Sequence, residues 1–233
     1  MGNREFTRSG QRNMKRFLAF LADSGVNRVT VTSPYLLTWV KHNFPGFKIT
    51  ASVMAHIDTA EKVYYWKELG ADNIVVAHDA NRNFDFLRRI GKDASSGIIV
   101  LVNLACLHNC PLIFLHENSS SHASLQGDAL NNFCLDYYFM KCAYLRLLDP
   151  ARFIQAPWIR PEDLCCYEEM GISTFKLSGR TFSSDTILRI VKAYAQRKYE
   201  GNLLDLLDPY AEKTPLNQKK LFNFFRYLCR PRH

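Results

Sequence analysis

Four of the seven cysteines fall within 37 residues: Cys106, Cys110, Cys134 and Cys142. Cys106 and Cys110 are four apart, so one turn of helix would put both thiols on one face. Thiolates are the usual ligands of structural zinc and of iron–sulfur clusters, and a cluster takes about four of them. The CxxxC spacing differs from the CxxC of zinc ribbons, which lowers the structural-zinc reading. Pro111 directly follows Cys110, and His108, His116 and His122 lie in the same stretch. Each histidine could ligate or catalyse, though a single histidine in such a stretch is more often a hydrogen-bonded loop residue. Cys165 and Cys166 open the next connection, and Cys229 stands apart near the C-terminus. A single cysteine is ordinarily a small buried apolar side chain, and Cys229 is read that way. The set of four is read as a metal site. A disulfide framework is not expected in a chain of 233 residues without an export signal.

Other side chains could meet a substrate beside that site. Arg160 and Arg180 stand near the ends of the last two predicted strands, where a guanidinium can grip carboxylate or phosphate with two hydrogen bonds. Arg160 equally suits a salt bridge orienting the helix that begins at Pro161. Lys176 lies within a strand whose alternation would point it inward, and a buried lysine needs a partner such as Glu162 or Glu168. Arg160, Lys176 and Arg180 are the candidate catalytic residues. Asn103, His56 and His78 also follow strands, and the two histidines are read as structural. Trp39 and Trp158 are read as packing residues. The sequence contains no GxSxG, HExxH, P-loop or GxGxxG motif, and no Ser/His/Asp or Cys/His protease spacing is recognisable.

The elements that must hold these groups alternate along the chain. Short apolar runs read as strands at Arg28–Thr32, Lys48–Val53, Asn73–Ala77, Gly97–Val102, Arg152–Gln155 and Thr174–Leu177. Runs such as Ile98–Val102 suit strands covered on both faces. Helical stripes lie between them: Met14, Phe17, Leu18 and Leu21; Val63, Trp66 and Leu69 in a helix opened by Asp58; Phe84, Leu87 and Ile90. Ser183 or Ser184 is placed to cap a helix carrying Ile187, Ile190, Val191 and Tyr194. Six βα units imply an α/β fold with a parallel sheet. The expectation is a parallel (β/α) TIM-barrel-like domain, incomplete at about six units, with C-terminal helices. A closed eight-unit barrel usually needs about 250 residues. Residues 1–200 form the predicted barrel domain, with a cysteine-containing insertion at about 103–150. Residues 201–233 form a helical basic extension.

Three segments carry a resemblance to a known family: Asn103–His116 with its CxxxCP pattern, Pro157–Leu164 followed by Tyr167 and Gly171, and Phe175-Lys-Leu-Ser-Gly-Arg180. With Gly25-Val26, Ser33-Pro34, Trp66 and Leu69-Gly70-Ala71, they resemble peptidase family U32, the collagenase-like protease group, over roughly residues 10–200. The resemblance implies a TIM-barrel-type domain. It also implies a [4Fe–4S] cluster on four cysteines, as in members that carry out oxygen-independent hydroxylation of ubiquinone precursors, transfer RNA or ribosomal RNA. By position, Cys106 and Cys110 match the first ligand pair. Cys142 and Cys134 are the next choices, with Cys165 or Cys166 as substitutes. The family's first pair is usually more widely spaced, and its opening βα units have no counterpart here. A truncated or divergent member is implied, with a partner protein or a second copy completing the barrel. The function expected is therefore redox modification of a small molecule or RNA. A non-catalytic partner-binding scaffold or a U32-type peptidase is the alternative.

The formal charge of +8 is concentrated at the ends. Residues 1–16 carry net +4 and residues 213–233 net +6, leaving −2 on the body. The basic tail interleaves Lys219, Lys220 and Arg226 with Phe222, Phe224, Phe225 and Tyr227, a mixture that suits RNA. Leu221, Phe224, Phe225 and Leu228 also follow helical spacing, and the preferred reading is an amphipathic helix that packs on the body or a partner. No apolar run reaches the length of a membrane span, and the polar N-terminus is no signal peptide. Both point to a cytoplasmic protein.

Overall fold

The computed structural model describes residues 7–93, 97–123, 135–179 and 182–207. Arg180, Cys134, Cys229 and the basic tail lie outside the described residues, so the readings that fall on them stay as expectations.

Five short strands form one parallel sheet: β1 (Arg28–Val31), β2 (Lys48–Ala51), β3 (Asn73–Val75), β4 (Ile98–Leu101) and β5 (Thr174–Lys176). They lie in chain order, β1-β2-β3-β4-β5, and every neighbouring pair is parallel. Each strand lies beside the one before it, with no reversal of order across the described sheet. That winding belongs to a (β/α) barrel; a doubly wound sheet would reverse at a switch point.

Helices connect the strands: α1 (Arg8–Asp23), α2 (Pro34–Asn43), α3 (Ala60–Glu68), α4 (Phe84–Asp93), α5 (Ile113–Ala123), α6 (Leu135–Leu148), α7 (Ala151–Gln155), α8 (Leu164–Glu168) and α9 (Ser184–Gln196). Thr59 caps α3 by accepting from the Lys62 amide at 3.3 Å. The helix therefore starts two residues after Asp58, which instead pairs with Lys62 at 2.6 Å. Ser183 caps α9 in the same way through the Thr186 amide.

The core is continuous with the sheet. Ile49, Ala51, Ile74 and Val100 are sealed beneath Leu18, Leu37, Val63, Leu87 and Ile90 from the helices. Full burial of an aliphatic side chain of that size stabilises by roughly 1.5–3 kcal/mol. Helical apolar stripes and near-continuous strands thus meet as their periodicities require.

One predicted element changes type. Arg152–Gln155 lies within helix α7 and is not a strand. The cause is local: the Asp149 side chain accepts from the Ala151 amide at 3.2 Å, and Pro150 pre-sets the first turn. Asp149-Pro150 is a helix start where the sequence reading took it for a strand-preceding turn. The extended backbone comes four residues later. Ile159 donates its amide to Val102 O at 2.8 Å, and Tyr194 Oη donates to Ile159 O at 2.7 Å.

Candidate functional site

The C-terminal ends of parallel strands leave carbonyls and following loops at one rim, where βα proteins build their sites. Here β2 is followed by His56, β3 by the 3₁₀ turn His78–Arg82, β4 by Asn103 through Cys110, and β5 by Ser178.

Buried amides tie this rim together. Asn81 is fully buried, and its Nδ2 donates to Leu101 O at 2.8 Å and to Pro157 O at 3.0 Å. Tyr167 Oη donates to Asn81 O at 2.7 Å. Asn103 joins β4 to the end of β5: its Oδ1 accepts from the Ser178 amide at 2.7 Å, and its Nδ2 donates to Ser178 O and Leu206 O. Side chains that satisfy several buried backbone groups hold irregular rim segments as strands would.

Three of the candidate thiols come together beyond β4. Cys106 and Cys110 bracket the loop, and Cys142 approaches from α6. Both other thiols act electrostatically on Cys106, as does the carboxylate of Asp79. The low-polarity surroundings of its sulfur push the Cys106 thiol up to about 12, against the pull of the nearby Arg146 guanidinium. Arg146 lies four residues after Cys142, on the same face of α6, and Tyr138 lies four before it. Tyr138 stacks near His116 of α5, with ring centroids 6.2 Å apart and planes 14° from parallel. Arg146 donates to Ala105 O and lies over the Phe153 ring at 5.0 Å.

A second cluster adjoins the thiols. His56 has a left-handed backbone (φ 50°), a strained conformation for a residue with a Cβ. Its Nε2 meets Glu117 Oε2 at 2.6 Å, and its ring centroid lies 4.3 Å from that of Phe114. His78 is 3 % exposed, and its Nε2 has no hydrogen-bond partner among the described residues. Burial holds the His78 imidazole below its usual pKa, opposed by Asp79 and Glu117 and aided by His56 and His108. Asp79 Oδ1 accepts from the Asn109 amide at 3.2 Å and lies 3.7 Å from both His78 and His108.

The remaining candidates take other positions. Arg160 is clamped by Asp163 through two hydrogen bonds, at 2.7 and 2.8 Å, beside the turn that starts at Pro161. Lys176 is partly buried at the end of β5, and its carbonyl accepts from the Val102 amide. Glu168 pairs with Arg197, and Glu162 accepts from the Tyr199 amide at 2.8 Å. Cys165 and Cys166 are exposed on α8. The groups acting on Cys166 are Cys165, Glu169 and Asp163, a set that shares no member with the groups acting on Cys106. An open groove of about 550 Å³ on the outer side of α9, lined by Asp185, Arg189, Lys192 and Lys198 among others, shares no residue with the rim.

Sequence reasoning missed Arg146 and Glu117 and passed over His56 and His78. The i, i+4, i+8 spacing of Tyr138, Cys142 and Arg146 was the available signal for the first. Nothing in the sequence brings Glu117 to His56, 61 positions away.

Thiols are the donor type that an iron–sulfur cluster takes, and the fourth proposed ligand, Cys134, lies outside the described residues. They do not stand at ligand distances. Among the described residues, no three His, Cys, Asp or Glu side chains are arranged to hold a metal ion.

Fold and site together define a barrel-type α/β protein with cysteines at the rim after its fourth described strand. The chain belongs to peptidase family U32, whose family model matches residues 3–200. It is 35% identical over 209 residues to a protein of Methanocaldococcus jannaschii described as "Uncharacterized protease MJ1657", covering 89% of this chain and 61% of that protein. The chain thus spans about three fifths of that relative's length. A solved structure described as "The Structure of the U32 Peptidase Mk0906" matches with a TM-score of 0.53 and 23% identity, over 76% of this chain and 65% of that one. This likeness supports the TIM-barrel-like fold.

Proposed function

We propose that this chain is a U32 protein that holds an iron–sulfur cluster on Cys106, Cys110 and Cys142, with Cys134 as the fourth ligand, and acts in oxygen-independent hydroxylation of a small molecule or RNA. The observation that carries this reading is the convergence of three thiols beyond β4. A bound cluster supplies one-electron transfer. The protein's own part is to fix the rim through Asn81 and Asn103 and to keep the Cys106 sulfur in surroundings of low polarity.

Anaerobic purification tests the reading. The expected product is brown, with iron and sulfide in equal amounts and broad visible absorbance. Cys106→Ser combined with Cys110→Ser removes the colour and most of the iron while the far-ultraviolet circular dichroism stays unchanged. A colourless protein that holds neither iron nor sulfide after anaerobic reconstitution overturns the reading.

A second reading is peptide hydrolysis. It is favoured by the description of the M. jannaschii relative and by the His56–Glu117 couple, an imidazole held by a carboxylate at 2.6 Å. Cleavage of a peptide panel that survives Cys106→Ser and is lost in Glu117→Gln would decide for it.

A further inference from the structure

Helix α1 carries four cations in its first half. Arg8, Arg12, Lys15 and Arg16 are all exposed, and among the described residues none has a carboxylate partner. Other surface cations do: Arg88 meets Asp85 at 3.0 Å, and Lys62 meets Asp58 at 2.6 Å. At about 100° per residue the four fall within an arc of about 100°, spread over about 12 Å of the helix. Another side of α1 holds it on the core through Leu18, which is sealed, and through Met14 and Leu21. The basic stripe works against its own helix. Arg8, Arg12 and Arg16 follow at i, i+4 and i+8, so like charges stack along one side. They crowd the N-terminal half, where the helix dipole favours anions, and no acidic residue stands in the first turn. Asp23, the one acid of α1, is at the far end. Phosphates lying along the stripe would relieve that repulsion.

Two exposed aromatics flank the stripe. Phe20, 64% exposed, lies one turn beyond Arg16 on the same side. Tyr35, 51% exposed, stands at the other edge, where Gln11 Nε2 donates to its hydroxyl at 2.9 Å. Tyr35 opens α2 just past the end of β1, so the stripe lies at the rim end of β1. We infer that this face of α1 is a docking surface for a single-stranded nucleic acid, whose phosphates follow the four cations and whose bases stack on Phe20 and Tyr35. A stacked strand advances about 3.4 Å per nucleotide, so the stripe matches about three phosphates. Cationic tracks edged by aromatic rings hold single strands in this way. A lipid surface is the other common polyanion, and helices that lie in one insert an apolar face. The apolar face of α1 is buried in the core, which favours nucleic acid. The surface is independent of any group held at the rim.

The test follows the fluorescence anisotropy of a labelled, unstructured RNA of about 16 nucleotides with the full chain across a salt series. Wild type is compared with Arg12→Gln/Arg16→Gln, with Phe20→Leu, and with Arg88→Gln/Lys198→Gln, whose cations are already paired. Circular dichroism checks folding. On a single strand, each lost phosphate contact lowers the log–log salt slope by about 0.7. Arg12→Gln/Arg16→Gln should therefore lose about 1.4 in slope and roughly 25-fold in affinity at about 0.1 M salt. Phe20→Leu should weaken binding by about fivefold or more at an unchanged slope. Arg88→Gln/Lys198→Gln should bind as wild type does. Wild type that leaves the RNA free overturns the inference. So does wild-type affinity and slope in Arg12→Gln/Arg16→Gln, which would put the binding on another basic segment. An equal loss in the Arg88→Gln/Lys198→Gln control also overturns it, because net charge alone then explains the effect. A duplex bound as tightly as the single strand, or Phe20→Leu that binds as wild type, overturns the single-strand assignment. Co-sedimentation with phosphatidylserine vesicles is the second readout. Sedimentation that is lost in Arg12→Gln/Arg16→Gln while RNA affinity stays gives the face to lipid and overturns the inference.

Discussion

His56 and His78 follow successive strands yet meet different physical conditions. His56 has a carboxylate at 2.6 Å and a strained backbone that the surrounding contacts must hold. His78 is sealed, with a ring nitrogen that has no hydrogen-bond partner among the described residues and a pKa held below its usual value by burial. A histidine depressed in the folded state binds fewer protons there than in the unfolded chain. Its stabilising contribution is therefore complete above the unfolded value near 6.5 and declines as pH falls below it. His116, also depressed by burial, acts in the same direction. The thermal midpoint should fall between about pH 7.5 and about pH 5.5, and His78→Gln should flatten that fall without abolishing it. Equal slopes in wild type and His78→Gln would refute the assignment. These histidines were visible in the sequence as residues after strands. Their burial and the arrival of Glu117 were not, because both depend on where α5 lies.

At the scale of elements, helix α4 and the turn before β5 approach backbone to backbone. A Cβ on Gly91 would lie 1.9 Å from Met170 O, and Gly171 adopts φ 90° with its own absent Cβ only 2.6 Å from Gly91 O. In an exposed helix, replacing glycine by alanine stabilises by roughly 0.5–1 kcal/mol. Here Gly91→Ala should instead destabilise by about 3 kcal/mol, because backbone has to move. The thermal midpoint would then drop by about 6–12 °C. A rise, or no change, would show that the two elements can separate freely. Elsewhere, the stripes of α3 and α4 and the cap at Ser183 were legible because each follows from spacing within one segment. α7 was misread because Arg-Phe-Ile-Gln alone is compatible with strand or helix, and the capping contact from Asp149 decides.

On the scale of the molecule, a sheet wound in strict chain order collects the βα connections at one rim. Cys106 and Cys110 follow β4 there, and Cys110 and Cys142 both act electrostatically on Cys106, while Cys165 and Cys166 are exposed on α8. Anaerobic cluster loading should therefore raise the thermal midpoint, since a group that binds only the folded chain stabilises it by linkage. Exposure to a chelator and oxidant should reverse the gain. A Cys165→Ser/Cys166→Ser double variant should keep wild-type iron content and the same gain, and loss of iron there would make α8 part of the site. No helix among the described residues is long and apolar enough to cross a membrane.

The sequence by itself determined the βα alternation, the family, and the cysteine-rich segment after β4 on which the proposed function rests. Those properties depend on residue type and near-neighbour spacing: apolar periodicity, capping residues, and thiols one turn apart. Tertiary structure decided which distant groups meet. It placed Arg146 against the Ala105–Cys106 segment, Glu117 on His56 and Asp163 on Arg160. Whether a charge is paired, buried or left uncompensated depends on neighbours contributed by other elements. Such neighbours are fixed only once helices and sheet have packed.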